Sequence, residues 1–227
     1  MDLTRMTMRL EQKTPGTYDL YICDEIMPDI ETWFGVSRSD TSQKTIIKQL
    51  EETKSATQLN ICINSVGGSV KEGYGIYTAL LRHPAHKTAY IDGIANSIAS
   101  IIAMAADEIV MYPHSTMGIH NMAAHCMGNA AEHRKTAEDL DKMMEGCRQI
   151  YLARSGEKLT EDRLMEMLDA ETILTPRECL EYGLCDRIEE VRREGAPAPE
   201  TPPAEEPPES PEEPQQKTLS QFFDKWR

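Results

Sequence analysis

LNICINSVGGSVKEGYGIYTALLR, residues 59–82, runs from a short apolar stretch through two glycines into a segment whose apolar residues recur at helical spacing. The first part reads as a strand from Leu59 to Asn64 and the last as a helix from Val70 to Arg82. Between them Gly67 and Gly68 permit positive φ and expose backbone N–H groups. Free amides at the start of a helix make an anion cradle, which in acyl chemistry is an oxyanion hole. The plainer reading of a Gly-Gly pair is an ordinary tight turn.

The same alternation continues on both sides. Tyr18 to Cys23, Lys87 to Ile91, Glu108 to Tyr112 and Met117 to His120 read as strands, while Thr45 to Thr53 and Ser97 to Ala106 read as helices. A chain that alternates in this way folds as α/β, with a mainly parallel sheet covered by helices. A long amphipathic helix follows over about Glu132 to Arg154, with Leu140, Met143, Met144, Cys147 and Tyr151 on one face as core or subunit contact. Thr160 and Thr175 are the expected N-caps of two more helices, the second with Pro176 at N1, Glu178 at N3 and Gly183 past its end.

Composition narrows the function. With 24 Lys+Arg against 38 Asp+Glu, the 227-residue chain carries a net charge of −14. It would repel nucleic-acid phosphates and anionic membrane headgroups, so neither is an expected partner. The N-terminus holds no apolar run of signal-peptide type, and the longest apolar stretch, Ile94 to Ala106, is too short and too interrupted to span a membrane. Six cysteines (Cys23, Cys62, Cys126, Cys147, Cys179, Cys185) form no C-x-x-C pair, so a cytoplasmic protein with reduced thiols and no metal site is expected.

Eight of the 13 prolines lie between Ala196 and Pro214 among many glutamates, which reads as a disordered acidic linker. Beyond it Leu219, Phe222, Phe223 and Trp226 form a short amphipathic peptide, fitted either to fold back or to dock on a partner. The expected organisation is an N-terminal segment over 1–17, a body over 18–190, a linker over 191–217 and a terminal peptide over 218–227.

Chemistry is concentrated at a second strand-to-helix turn, Gly93-Ile-Ala-Asn-Ser-Ile-Ala-Ser100. Ser97 there opens a helix made of small and apolar residues, where the helix N-terminus would stabilise developing negative charge and the Ile98 amide would add an oxyanion donor. Read alone, Ser97 is more simply an N-cap or a small packing residue. A serine nucleophile needs a base, and the base an orienting carboxylate. His120 closes an apolar strand, and Glu171 enters an apolar segment.

In order and spacing, INSVGGSV, GIANSIAS, MGIHN and ETILTPRECLEYGLCD together resemble the Clp protease proteolytic subunit, ClpP, over about Tyr18 to Ile188. The resemblance implies a ClpP/crotonase-like fold of repeated ββα units and a serine endopeptidase that requires no cofactor. Ser97 matches the family nucleophile, His120 the general base, and the amides of Gly68 and Ile98 the oxyanion hole. A gap-free match puts Glu171 at the acid position, with Asp169 as the alternative; two residues apart on a strand they would project to one face, and only one could sit opposite His120. The stretch from Asn121 to Ala130 matches the segment that lines substrate as an added strand.

The sequence departs from housekeeping members at Val66, where they have proline, and at Ala170, where they have an arginine used between stacked rings. It is more similar to the ClpP-like head maturation proteases of phage and prophage, which implies a ring-forming homo-oligomer in the cytoplasm of a bacterial host that cleaves capsid or scaffold protein. Three alternatives stay open: a housekeeping ClpP served by an AAA+ unfoldase, a crotonase-type acyl-CoA enzyme, and a catalytically silent assembly ring.

Overall fold

Six strands lie side by side in the order Leu10–Thr14, Thr17–Ile26, Gln58–Gly68, His86–Asn96, Glu108–Met111 and Arg187–Ile188, and four of the five neighbouring pairs run parallel. The computed structural model describes residues 10–32, 35–37 and 39–190. The strands are β1 (Leu10–Thr14), β2 (Thr17–Ile26), β3 (Ile30–Thr32), β4 (Gly35–Ser37), β5 (Gln58–Gly68), β6 (His86–Asn96), β7 (Glu108–Met111), β8 (Thr116–Gly118), β9 (Ile173–Leu174) and β10 (Arg187–Ile188). The helices are α1 (Gln43–Glu52), α2 (Val70–Arg82), α3 (Ile98–Ala103), α4 (Ala130–Ser155), α5 (Glu161–Asp169) and α6 (Pro176–Glu181). The mixed α/β class and its parallel sheet match the expectation from the alternating pattern.

The core strands are isoleucine-rich because both faces of the sheet are covered. Ile61, Ile63 and Ile91 are fully buried, with Ile76 and Leu80 of α2 and Ile101 and Ile102 of α3 among the buried residues of the same core. Each such side chain contributes roughly 1.5–3 kcal/mol on burial. Lys87 is among the charged residues buried alongside them. The Lys87 ammonium donates to the carbonyl of Ala85 at 3.0 Å and lies 3.1 Å from the Asp107 carboxylate, which offsets its desolvation.

The sheet starts earlier than the sequence reading has it. Leu10–Thr14 forms an antiparallel hairpin with β2, so part of the segment assigned to 1–17 belongs to the body. Two of the helices have the expected starts: Thr160 caps α5, and Thr175 with Glu178 closes a capping box on α6, Pro176 at its first turn. The apolar face of α4 is narrower than expected. Met144, Cys147 and Tyr151 are buried, but Met143 is 46% exposed, because it lies one residue off the stripe that meets α2 and α3. The six cysteines are free thiols. The acidic linker and the terminal peptide lie outside the described residues.

β6 is what positions the site. It pairs with β7 as far as Ile91↔Met111, then leaves it and pairs with β8 from Ile94↔Thr116 to Asn96↔Gly118. On its other side the register with β5 jumps from Ile63↔Ile91 to Ser65↔Ala95, so β6 carries two extra residues there. Asn64 stabilises this bulge: its Oδ1 accepts from the Ile94 N–H at 3.2 Å, and a Cβ on Gly93 would sit 2.5 Å from that oxygen. Bulges of this kind re-aim a strand, and here the re-aimed strand ends at Ser97.

Candidate active site

Ser97 occupies the junction of β6 and α3 with φ 55° and ψ −129°. The chain uses the same conformation at Gly156, with φ 59° and ψ −130°, a region where a side chain is strained. Ser97 is the N-cap residue of α3, yet its side chain makes no capping bond. The hydroxyl is therefore not engaged in holding the helix. The backbone is fixed from the other side, where the Ser97 N–H donates to the Gly118 carbonyl at 2.8 Å.

The Gly-Gly turn closes over this junction. Gly67 has φ +91°, and a Cβ on it would meet the Asn96 carbonyl at 2.6 Å and Ser97 Cβ at 2.8 Å. Gly68 has φ +144°, and a Cβ there would lie 2.3 Å from the Ile26 carbonyl. Only glycine fits either position. Ser65 secures the turn by donating its hydroxyl to the Asp24 carbonyl at 2.5 Å and accepting from the Gly67 N–H at 3.1 Å. Ser69, just beyond, caps α2. The Ile98 N–H is the first amide of α3, one of those that have no partner inside a helix.

Ser97, Ile98, Gly68 and His120 line one cavity of about 230 Å³. The remaining wall comprises Val66, Val70, Ile101, Met122, Ala123, Met144, Cys147 and Tyr151, none of them a carboxylate or a lysine or arginine. Burial pushes the Cys147 thiol and the Tyr151 phenol above their ordinary values, so both stay neutral at pH 7. A cavity of this polarity strengthens any interaction between backbone amides and a developing oxyanion.

His120 follows β8, and its ring Nδ1 lies 2.6 Å from the carbonyl of Asn121. A carbonyl only accepts, so Nδ1 carries the proton and, in the neutral ring, Nε2 is the basic nitrogen. That is the tautomer a general base toward a serine requires. The two acid candidates stand apart from it. The β8–β9 register, Met117↔Leu174 and Gly118↔Ile173, continues with the Ile119 N–H donating to the Thr172 carbonyl at 2.9 Å, which brings Glu171 level with His120. Glu171 itself is exposed, with φ 50°, and among the described residues no hydrogen bond joins it to the imidazole. Asp169 ends α5 and accepts from Asn121 Nδ2 at 2.7 Å instead. The two acids are thus not alternate residues of one strand, as the sequence reading assumes, but flank the turn between α5 and β9.

Residues 121–128 have no regular structure. The sequence reading does not single out Ser100, whose hydroxyl bonds both the Ser97 carbonyl and the Tyr151 phenol. The available signal is a tyrosine on the apolar face of α4, since a buried phenol needs a partner. Among the described residues no group of three or more His, Cys, Asp and Glu side chains could hold a metal ion. No helix among them is long and apolar enough to cross a membrane.

The model of the Clp protease family matches residues 21–192. This chain belongs to the Clp protease family. It is 27% identical over 184 residues to an ATP-dependent Clp protease proteolytic subunit of Bacteroides fragilis, covering 79% of this chain and 88% of that one. The subunit of the same name from Porphyromonas gingivalis is 26% identical over 189 residues, covering 81% and 84%. Among solved structures, a point mutant of ClpP1 from Listeria monocytogenes superposes with a TM-score of 0.63 over 77% of this chain and 92% of the other, at 21% identity. That likeness concerns the fold. Family membership makes the chain a ClpP-type peptidase in class.

Proposed function

We propose that this protein is a serine endopeptidase in which Ser97 attacks the scissile carbonyl. His120 takes the serine proton through Nε2 and later delivers it to the leaving amine, and the amides of Gly68 and Ile98 hold the tetrahedral oxyanion. Glu171, level with His120, is the orienting acid, its carboxylate taking the Nδ1–H of His120 in place of the Asn121 carbonyl. The observation that carries the reading is the strained, uncapped Ser97 at a helix start in the same uncharged cavity as His120.

The substrate we propose is capsid or scaffold protein during phage or prophage head maturation, cleaved by a homo-oligomeric ring in the bacterial cytoplasm. Supporting it are Ala170 in place of the inter-ring arginine, Val66 in place of proline, and the acidic C-terminal segment. A second reading is favoured by the names of the relatives, ATP-dependent Clp protease subunits: a subunit fed by an AAA+ unfoldase.

Intact-mass measurement after fluorophosphonate treatment tests the chemistry. The wild type should gain one adduct, and Ser97→Ala and His120→Ala should gain none. Absence of an adduct on the assembled wild type would overturn the peptidase reading in favour of a silent assembly ring. Limited cleavage of a co-expressed capsid protein without ATP supports the maturation role, whereas processive degradation that needs an ATPase supports the second reading.

A further inference from the structure

The peptide unit between Ser97 and Ile98 is a single rigid plane. Its N–H is the proposed oxyanion donor, and its C=O points the opposite way, toward the interior. Whatever clamps that carbonyl therefore aims the amide. The Ser97 carbonyl accepts from the Ser100 hydroxyl at 2.6 Å and from the Ser100 N–H at 3.0 Å. The Ser100 oxygen lies 2.6 Å from the Tyr151 phenol oxygen. A serine has one proton, and here the carbonyl receives it, so the phenol must donate to Ser100. The bonds run in one direction, Tyr151 O–H to Ser100 O–H to Ser97 C=O. Ser100 is fully buried and Tyr151 only 2% exposed, so water does not compete for any link.

We infer that Ser100 and Tyr151 are positioning residues for the oxyanion hole, a role that rests on the peptidase reading above. The relay holds Ser97 in its strained conformation, fixes the direction of the Ile98 N–H, and polarises that amide through its own carbonyl, because hydrogen bonds in series reinforce one another. The Tyr151 hydroxyl bonds to Ser100, and through it to the Ser97 carbonyl, while its ring forms part of the cavity wall.

The variants are Tyr151→Phe, which keeps the ring and removes one oxygen, Ser100→Ala, and the two combined. Fluorophosphonate labelling of Ser97, the kcat and KM for fluorescein-labelled casein, and thermal unfolding are read on the full-length protein. Each single variant should lower the labelling rate and kcat about tenfold, the scale of one lost hydrogen bond. KM and the pH midpoint should not change, and the double variant should match Ser100→Ala because the groups act in series. Wild-type kcat and labelling in a folded Tyr151→Phe protein would overturn the proposal. So would losses in the double variant that are additive and follow thermal stability alone. A wild-type protein that takes no label at Ser97 overturns the peptidase reading itself, and the relay with it.

Discussion

Replacing the proposed nucleophile with glycine should make the protein more stable. Ser97 holds φ 55° and ψ −129°, the conformation that the chain otherwise gives to Gly156. A side chain in such a region costs about 1–3 kcal/mol, and no capping bond compensates it. Glycine removes that cost. Against this stands the extra freedom of glycine in the unfolded chain, about 0.5–1 kcal/mol. The balance for Ser97→Gly is a gain of roughly 0.5–2 kcal/mol. Ser97→Ala keeps the Cβ and the strain, so its stability should stay within about 0.5 kcal/mol of wild type. Urea unfolding followed by far-ultraviolet circular dichroism, at one protein concentration and with a shared slope, measures both. Both variants should be inactive, so only the strain distinguishes them. A glycine variant less stable than the alanine variant would refute the claim that the fold stores strain at this residue.

Four further outcomes are expected. Gly67→Ala combines positive φ with contacts of 2.6 and 2.8 Å and should lose about 2–5 kcal/mol, whereas Gly156→Ala, with nothing within 4 Å, should lose only the backbone part; equal urea midpoints would contradict this. Glu171→Gln should lower the fluorophosphonate labelling rate about a hundredfold or more, while Asp169→Asn, which alters only the exposed bond to Asn121, should change it less than threefold; the reverse order would assign the acid to Asp169. Burial lowers the pKa of His83, whose Nδ1 accepts from the Ala85 N–H at 3.3 Å. The unfolded state therefore binds its proton more readily, so this contribution to stability is complete above about pH 6.5 and is lost as pH falls toward the folded value; His83→Asn should flatten that slope in a series of urea melts between pH 7.5 and 5. Iodoacetamide at pH 7 should leave Cys147, Cys179 and Cys185 unmodified until urea is added, since all three are buried and burial pushes their thiols up, Cys185 to about 11; peptide mapping of the native protein reads this directly.

Most of the parallel sheet was legible because Ile61, Ile63, Ile91 and their neighbours must satisfy local propensity and burial together, and both point to a covered strand. The caps at Thr160 and Thr175 were legible for the same reason, since their bonding partners lie within three residues. The hairpin of Leu10–Thr14 was missed because LEQKT carries one apolar residue, and its pairing depends on β2 rather than on itself. The backbone at Asp169 and Glu171 is not legible, because α5 ends there in a left-handed turn where strand spacing is expected, and nothing in DAET reports a φ of 50° at Glu171. The Tyr151–Ser100 contact spans 51 residues, and no local pattern encodes such a partner.

β6 hands its edge from β7 to β8, and that fork divides the proposed machinery between two parts of one sheet, of unequal strand length. Ser97 and the glycine turn are anchored in strands of eleven residues each, whereas His120 follows a three-residue strand held between the last residues of β6 and the two residues of β9. Short ladders open at far lower free energy than the body they are attached to. The histidine side of the site therefore has the weaker anchorage: the amide of Ile119, bonded to the Thr172 carbonyl at the open end of that short ladder, should exchange with solvent before those of Ile61 and Ile63.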